Sequence, residues 1–308
     1  MNHLYQIGIK YFLITAGTSL LALPLLLYGQ LHWQRPARAN QERTLFQGIV
    51  YKRDLRVVPR PMAVHIVTID LTAPGVKVQV TPGSPTAAQE EIPTEINALT
   101  TSEFLNKFKL QLAINGSFFY PFREVTPWDY YPQSGNRVNV VGLAIANGSD
   151  YSQVDQSFPA LCFNANNRAQ ILAKGECPKG TIQGIAGNQL LIADGKPVKL
   201  DLKPSTSDQN KAYPRTAIAI DKQGKKLWLI AIDGKQPLYS EGATAAELSQ
   251  IILDLGAEYA LNLDGGGSTT LVAATDNQAN LLNAPIHTKL PMRERPVANH
   301  LGFFALPK

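Results

Sequence analysis

Residues 262–272, NLDGGGSTTLV, end an apolar run with a carboxylate and follow it at once with three glycines and three hydroxyl side chains. Residues 259–263 read as a buried strand and residues 269–273 as another, which sets Asp264 at a strand end with Gly265, Gly266 and Gly267 in the bend. Glycine reaches positive φ without steric cost and leaves backbone N–H groups open, so such a bend can hold an anion. A plain glycine-rich hairpin, its aspartate capping its own backbone, has the same pattern. Local sequence leaves both readings open.

Upstream, Thr244-x-x-Glu247 has the form of a capping box. Ala245, Leu248, Ile251, Ile252 and Leu255 then make an apolar helix face that stops at Gly256. Residues 216–220 and 226–232 read as a strand pair around Lys222, Gln223 and Gly224. A second box, Thr100-x-x-Glu103, opens a helix carrying Phe104, Leu105 and Phe108, and residues 110–114 follow as a strand that delivers Asn115. Alternation at 48–58, 63–71 and 76–81 predicts a meander. Residues 140–146, 160–163, 170–173 and 189–193 read as short hairpin strands, and the proline-bearing stretch 81–93 as a loop. Many antiparallel strands with few helices argue for an α+β fold of mixed, mainly antiparallel sheets. The expected organisation is an apolar N-terminal segment at 1–29, a polar linker at 30–43 and one domain at 44–308.

From residue 11 to 28 there is no charge, enough for a short membrane anchor and long for a signal-peptide core. The expectation is export, with the body anchored through 11–28 or released by cleavage near Ala39. Cys162 and Cys177, the only cysteines, suit that compartment, and a bridge between them would contribute about 3 kcal/mol in the loop-entropy picture. They have no CxxC partner and the five histidines are scattered, so no metal or other cofactor is expected. The net charge of +5 is concentrated before residue 40, where Lys10, Arg35 and Arg38 face no acid, leaving 26 basic and 24 acidic residues in the rest. No basic stripe is present, and a nucleic-acid partner is not expected. Nucleophile elbow, phosphate loop, HExxH and GxGxxG templates are all absent.

What remains is carboxylate chemistry near cations. Asn115-Gly116-Ser117, Pro214-Arg215-Thr216, Asp233-Gly234-Lys235, the Asp264 loop and Arg293-Glu294-Arg295-Pro296 each adjoin an apolar strand. Any one of them also reads as an ordinary turn or surface charge. Aromatics between residues 120 and 131 suit a core or stacking on sugar rings.

In order, INGSFF (114–119), RTAIAI (215–220), AIDGK (231–235), EGATAAELSQIILDLGAEYALNLDGGGSTTLV (241–272) and ERPVANHLGFF (294–304) resemble the phosphodiester glycosidase family. That family includes the lysosomal uncovering enzyme and many exported bacterial proteins. The resemblance implies hydrolysis of the glycosidic bond in a sugar-1-phosphodiester, such as an N-acetylhexosamine-1-phosphodiester glycan. It implies Asp264 and Glu294 as the carboxylate pair, with Asp233 as substitute for either. Asn115, Arg215, Gly265, Gly266, Gly267, Ser268 and Arg295 would line the phosphate side. Lys235 departs from the pattern, because the family often has arginine there and lysine lacks the bidentate fork. A non-catalytic glycan-binding or exopolysaccharide-assembly protein using the same pocket is the alternative. The two diverge on whether Asp264 and Glu294 face one cleft.

Overall fold

The computed structural model describes residues 26, 28–84, 94–152, 154–198, 211–276 and 278–308. Every strand ladder among them is antiparallel. An eight-stranded sheet runs in the order Gln41–Phe46, Ile49–Arg56, Met62–Asp70, Lys226–Ile232, Arg215–Ile220, Tyr259–Asn262, Gln189–Ala193, Lys196–Pro197. A five-stranded sheet runs Gln278–Leu281, Leu271–Thr275, Leu112–Asn115, His300–Phe304, Lys77–Val80. A second five-stranded sheet is built from residues between Ala144 and Ala186.

Strand period explains how these layers close. Side chains alternate across a strand, and in Lys226–Ile232 both sets are apolar from residue 227 on. Leu227, Leu229 and Ala231 turn into a core shared with Leu112, Ile114, Leu271 and Phe303 of the first five-stranded sheet and Leu161 and Ile185 of the second. Trp228, Ile230 and Ile232 turn outward against Leu248, Ile251 and Ile252 of the helix Ala245–Asp254. On the far side, Phe104 and Leu105 of the helix Thr101–Phe108 pack on Ala113 and Val272. The result is an α+β domain with one helix on each outer face. Both expected capping boxes form, with Thr100 and Thr244 each accepting from the amide of its Glu three residues on.

One expected strand is two. Residues 140–146 split between Arg137–Val140 and Ala144–Ala146, which belong to different sheets. Gly142 makes the change of direction at φ +82°, where a Cβ would lie 2.7 Å from that of Ala186. Cys162 and Cys177 are bonded to each other.

The uncharged stretch 11–28 lies almost wholly outside the described residues, and among those described no helix is long and apolar enough to cross a membrane. Residues 36–39 lie on the body: Arg38 donates to the Leu238 carbonyl at 2.7 Å, Tyr239 to Pro36 at 3.1 Å and Arg53 to Ala39 at 2.9 Å. The first strand starts at Gln41.

Candidate active site

The Asp264 loop is not a hairpin. Tyr259–Asn262 is an interior strand of the eight-stranded sheet, whereas Leu271–Thr275 pairs with Leu112–Asn115 in the other layer. The chain therefore crosses between sheets within residues 263–270, through a single 3-10 turn at Gly266–Ser268. Two of its glycines are required by their neighbours. Gly266 has φ +62° and a Cβ there would lie 2.8 Å from the Tyr213 ring, while a Cβ on Gly267 would meet the Arg295 guanidinium at 2.5 Å.

Not all the glycine amides are available to a ligand. Gly266 N–H donates to the Pro214 carbonyl at 2.9 Å, and the Gly265 amide serves the Asp264 carboxylate. What the turn presents is Asp264 itself. Burial pushes its carboxyl up to about 6, against the opposing pull of Arg295, the Ser268 hydroxyl and the Gly265 amide. Near neutral pH such a group is mostly ionised yet close to its midpoint, the range suited to moving a proton.

Arg295 organises the open side of this turn. Its Nη1 donates to Ser268 Oγ at 3.2 Å and its Nη2 to Glu124 Oε2 at 2.7 Å. Nε faces His287 Nδ1 at 3.3 Å, and the guanidinium lies 4.4 Å from the Phe122 ring centre. Burial and the neighbouring Arg295 push His287 down to about 4, so its ring is neutral at physiological pH and Nδ1 can accept. Opposite, Tyr213 abuts Gly266 and receives a 2.6 Å hydrogen bond from Lys235 Nζ.

Other expected site residues brace the turn from beneath or lie elsewhere. Asn115 is fully buried: Nδ2 donates to the Asp264 carbonyl at 2.6 Å, and Oδ1 accepts from Thr216 Oγ1 and the Thr270 amide at 3.1 Å each. Asp233 is 1% exposed. Its Oδ1 accepts from Asn283 Nδ2 and the Ala284 amide, and its Oδ2 from His65 Nε2, each at 2.9 Å. Asn283 in turn donates to the Thr269 carbonyl at 3.1 Å, so Asp233 reaches the turn only through that amide. Arg215 donates to the Ala243 and Lys211 carbonyls at 2.9 and 3.1 Å, beside Tyr213.

Glu294 lies at the N-terminus of the helix Thr101–Phe108, where its Oε2 accepts from the Ser102 amide at 3.0 Å. A carboxylate is favoured at a helix N-terminus, while burial raises its pKa. Both of its flanking arginines reach the 120–131 segment. Glu124, His287 and Tyr213 carry no sequence signal of their own, although Glu124 lies in the aromatic stretch 120–131.

A carboxyl near its midpoint, an arginine tied to a second acid and a bordering aromatic segment thus meet on a two-layer antiparallel scaffold. Residues 108–304 match the family model for phosphodiester glycosidase, and the chain belongs to that family.

A Bacillus subtilis (strain 168) protein, the SPbeta prophage-derived uncharacterized protein YomE, is 31% identical over 148 residues, 44% of this chain and 22% of its own length. The chain thus matches under a quarter of that relative. Among solved structures, a Synechocystis protein superposes with a TM-score of 0.63 at 18% identity, covering 87% of this chain and 64% of that one. The zebrafish N-acetylglucosamine-1-phosphodiester alpha-N-acetylglucosaminidase catalytic domain, auto-inhibited by its pro-peptide, gives 0.55 at 18% identity and 88% of each chain. At these identities the structural likeness is one of fold.

Proposed function

We propose that the chain hydrolyses the glycosidic bond of a sugar-1-phosphodiester, an N-acetylhexosamine-1-phosphodiester-like glycan, with Asp264 as the catalytic group. The observation that carries the reading is the Asp264 carboxyl, raised to about 6 and joined through Ser268 to an arginine. A phosphate monoester leaves with its bonding electron pair and needs little protonation, so one carboxylate base and a cation meet the chemical demand. Water adds its oxygen to the anomeric carbon and gives its proton to Asp264. The bond from that carbon to the phosphate oxygen breaks, and Arg295 and Ser268 take the developing charge.

Within this scheme Glu124 and His287 hold Arg295 in place. Asn115, Asp233 and Glu294 are positioning residues, and Arg215 anchors the segment carrying Tyr213. The reaction for which the zebrafish enzyme is named supports the sugar class. Export is proposed with it, supported by the disulfide.

Incubation of the purified chain with UDP-GlcNAc and a panel of glycosyl phosphodiesters, reading free sugar, tests the reading. Release by the wild type and its loss in Asp264→Asn is the expected result; wild-type inactivity on the whole panel, or normal turnover by D264N, overturns it. A non-catalytic glycan-binding protein is the second reading. The Glu294 carboxyl on a helix amide and the Gly266 amide on Pro214 favour it, and binding without release would establish it.

A further inference from the structure

The turn joining Ile49–Arg56 to Met62–Asp70 begins Arg56-Val57-Val58-Pro59-Arg60 and projects its apolar pair into water: Val57 is 71% exposed and Val58 80%. A second loop adjoins it, because the Glu241 amide donates to the Pro61 carbonyl at 2.9 Å and Ser240 Oγ accepts from the Ala63 amide at 3.0 Å. That loop holds Leu238 out at 86% exposure with φ +66°, a backbone conformation uncommon outside glycine. The segment entering the domain reaches the same place: Arg38 donates to the Leu238 carbonyl, and Asn40 Oδ1 accepts from the Leu55 amide at 2.8 Å. Pairing of Arg56 with Met62, Val64 and Arg215 with Ile232, and Ala217 with Asn262 puts all of this at the sheet end that carries Asp264.

Charge is distributed to match. Residues 26–62 hold seven basic and two acidic side chains, whereas residues 63–308 hold 21 and 22, so the positive excess of the body belongs to its first two strands and their flanks. Arg56 and Arg60 frame the Val57–Val58 tip, with Asp54 and Glu247 as partners, while Arg38 and Lys52 are exposed. The chain comes to this face from residues 11–28, which carry no charge, by way of Trp33, 89% exposed. Trp33 stands five residues ahead of Arg38 and so within about 18 Å of it. A protein partner covers a continuous apolar area. Apolar loop tips set between arginines, with an indole close by, instead match the boundary of a bilayer, where valine and leucine enter the headgroup layer and guanidinium groups stay with the phosphates.

We propose that this end of the eight-stranded sheet rests on an anionic lipid bilayer, with Val57, Val58 and Leu238 in the headgroup layer and Arg38, Arg56 and Arg60 on its phosphates. The uncharged stretch ahead of Trp33 leads the bilayer to this face, and the excess of arginine selects acidic lipid. Docking holds the Asp264 end of the body toward the membrane and the turn at 221–225 away from it. Such docking is independent of whether the site hydrolyses its ligand.

The test reconstitutes the full chain in vesicles of phosphatidylcholine alone or with about a third phosphatidylglycerol. A nitrobenzoxadiazole dye is attached through Val58→Cys, Leu238→Cys or Lys222→Cys, one at a time; the native cysteines are bonded to each other and do not react. Lys222 lies between Ile220 and Leu227, at the opposite end of the sheet. Lipid spin-labelled near the headgroup is expected to quench the dye at 58 and 238 and not at 222, and to quench more strongly in the acidic vesicles. Quenching at 58 and 238 no greater than at 222, no gain from acidic lipid, or failure of the chain to float with either vesicle overturns the docking. A blue shift at 58 that appears in detergent without lipid and grows with protein concentration assigns the face to a second copy of the chain, and overturns it as well.

Discussion

Glu124 Oε2 and Arg295 Nη2 meet at 2.7 Å, joining two segments 171 residues apart across the mouth of the Asp264 turn. The contact aims the arginine, whose other nitrogens reach Ser268 and His287. Lysine cannot make those three contacts from one planar fork. Arg295→Lys is therefore expected to lower kcat/KM by about a hundredfold, in the range for loss of one charge-stabilising donor. Glu124→Gln should act mainly through KM. Steady-state kinetics on whichever phosphodiester the wild type cleaves separates the two.

Asp264 lowers the stability of the fold near neutral pH. Its folded-state pKa of about 6 lies above the ordinary 3.8, so the folded chain binds the proton more tightly than the unfolded one. The group therefore lowers stability progressively as pH rises from about 4 to 6, and the penalty is full above that. Asp264→Asn removes the charge, and at pH 7.5 should raise unfolding stability by up to roughly 3 kcal/mol while abolishing turnover. Denaturant melts at pH 7.5 and pH 4 check this: the gain should be present at the first and mostly gone at the second.

In the proposed reaction the same titration sets the rate. A base must be ionised to take the proton from water, so kcat/KM should fall about tenfold per pH unit below about 6 and level off above it. A pH–rate profile flat from 4.5 to 7 would remove Asp264 from the role of base.

Asp233 and Glu294 should separate by stability before activity. Asp233→Ala leaves His65, Asn283 and the Ala284 amide without their buried partner, a loss of about 3–5 kcal/mol. Glu294→Ala removes one helix-terminal acceptor at about 1 kcal/mol, and E294Q should keep most of the turnover. Urea melts and single-turnover rates measure both; loss of turnover in E294Q with an intact melt would return Glu294 to the chemistry.

Reduction of the Cys162–Cys177 bridge should lower unfolding stability by about 2–4 kcal/mol, visible as a lower urea midpoint with and without dithiothreitol.

Sequence alone determined what depends on near neighbours. Thr100 and Thr244 each sit three residues before a glutamate and ahead of an apolar face, and both cap as read, because a capping box is closed by backbone groups within one turn. Apolar periodicity likewise defined the antiparallel class, and the glycines after Asp264 marked a special turn. Tertiary structure decided everything that rests on which sheet a strand joins. Residues 262–272 cross between layers because Leu271–Thr275 finds its partner at Leu112–Asn115, far away in the chain. That pairing buries Asn115 beneath the turn, packing between layers hides Asp233, and the helix N-terminus takes Glu294. Glu124, in a stretch with no periodic signal, is carried to Arg295 by the short pairing of Arg123–Glu124 with Tyr130–Tyr131, which Arg293, Arg295 and the Tyr131 hydroxyl on the Arg137 carbonyl tie to the body. Side-chain partners over such separations follow from the packing of whole layers, and no local pattern encodes them.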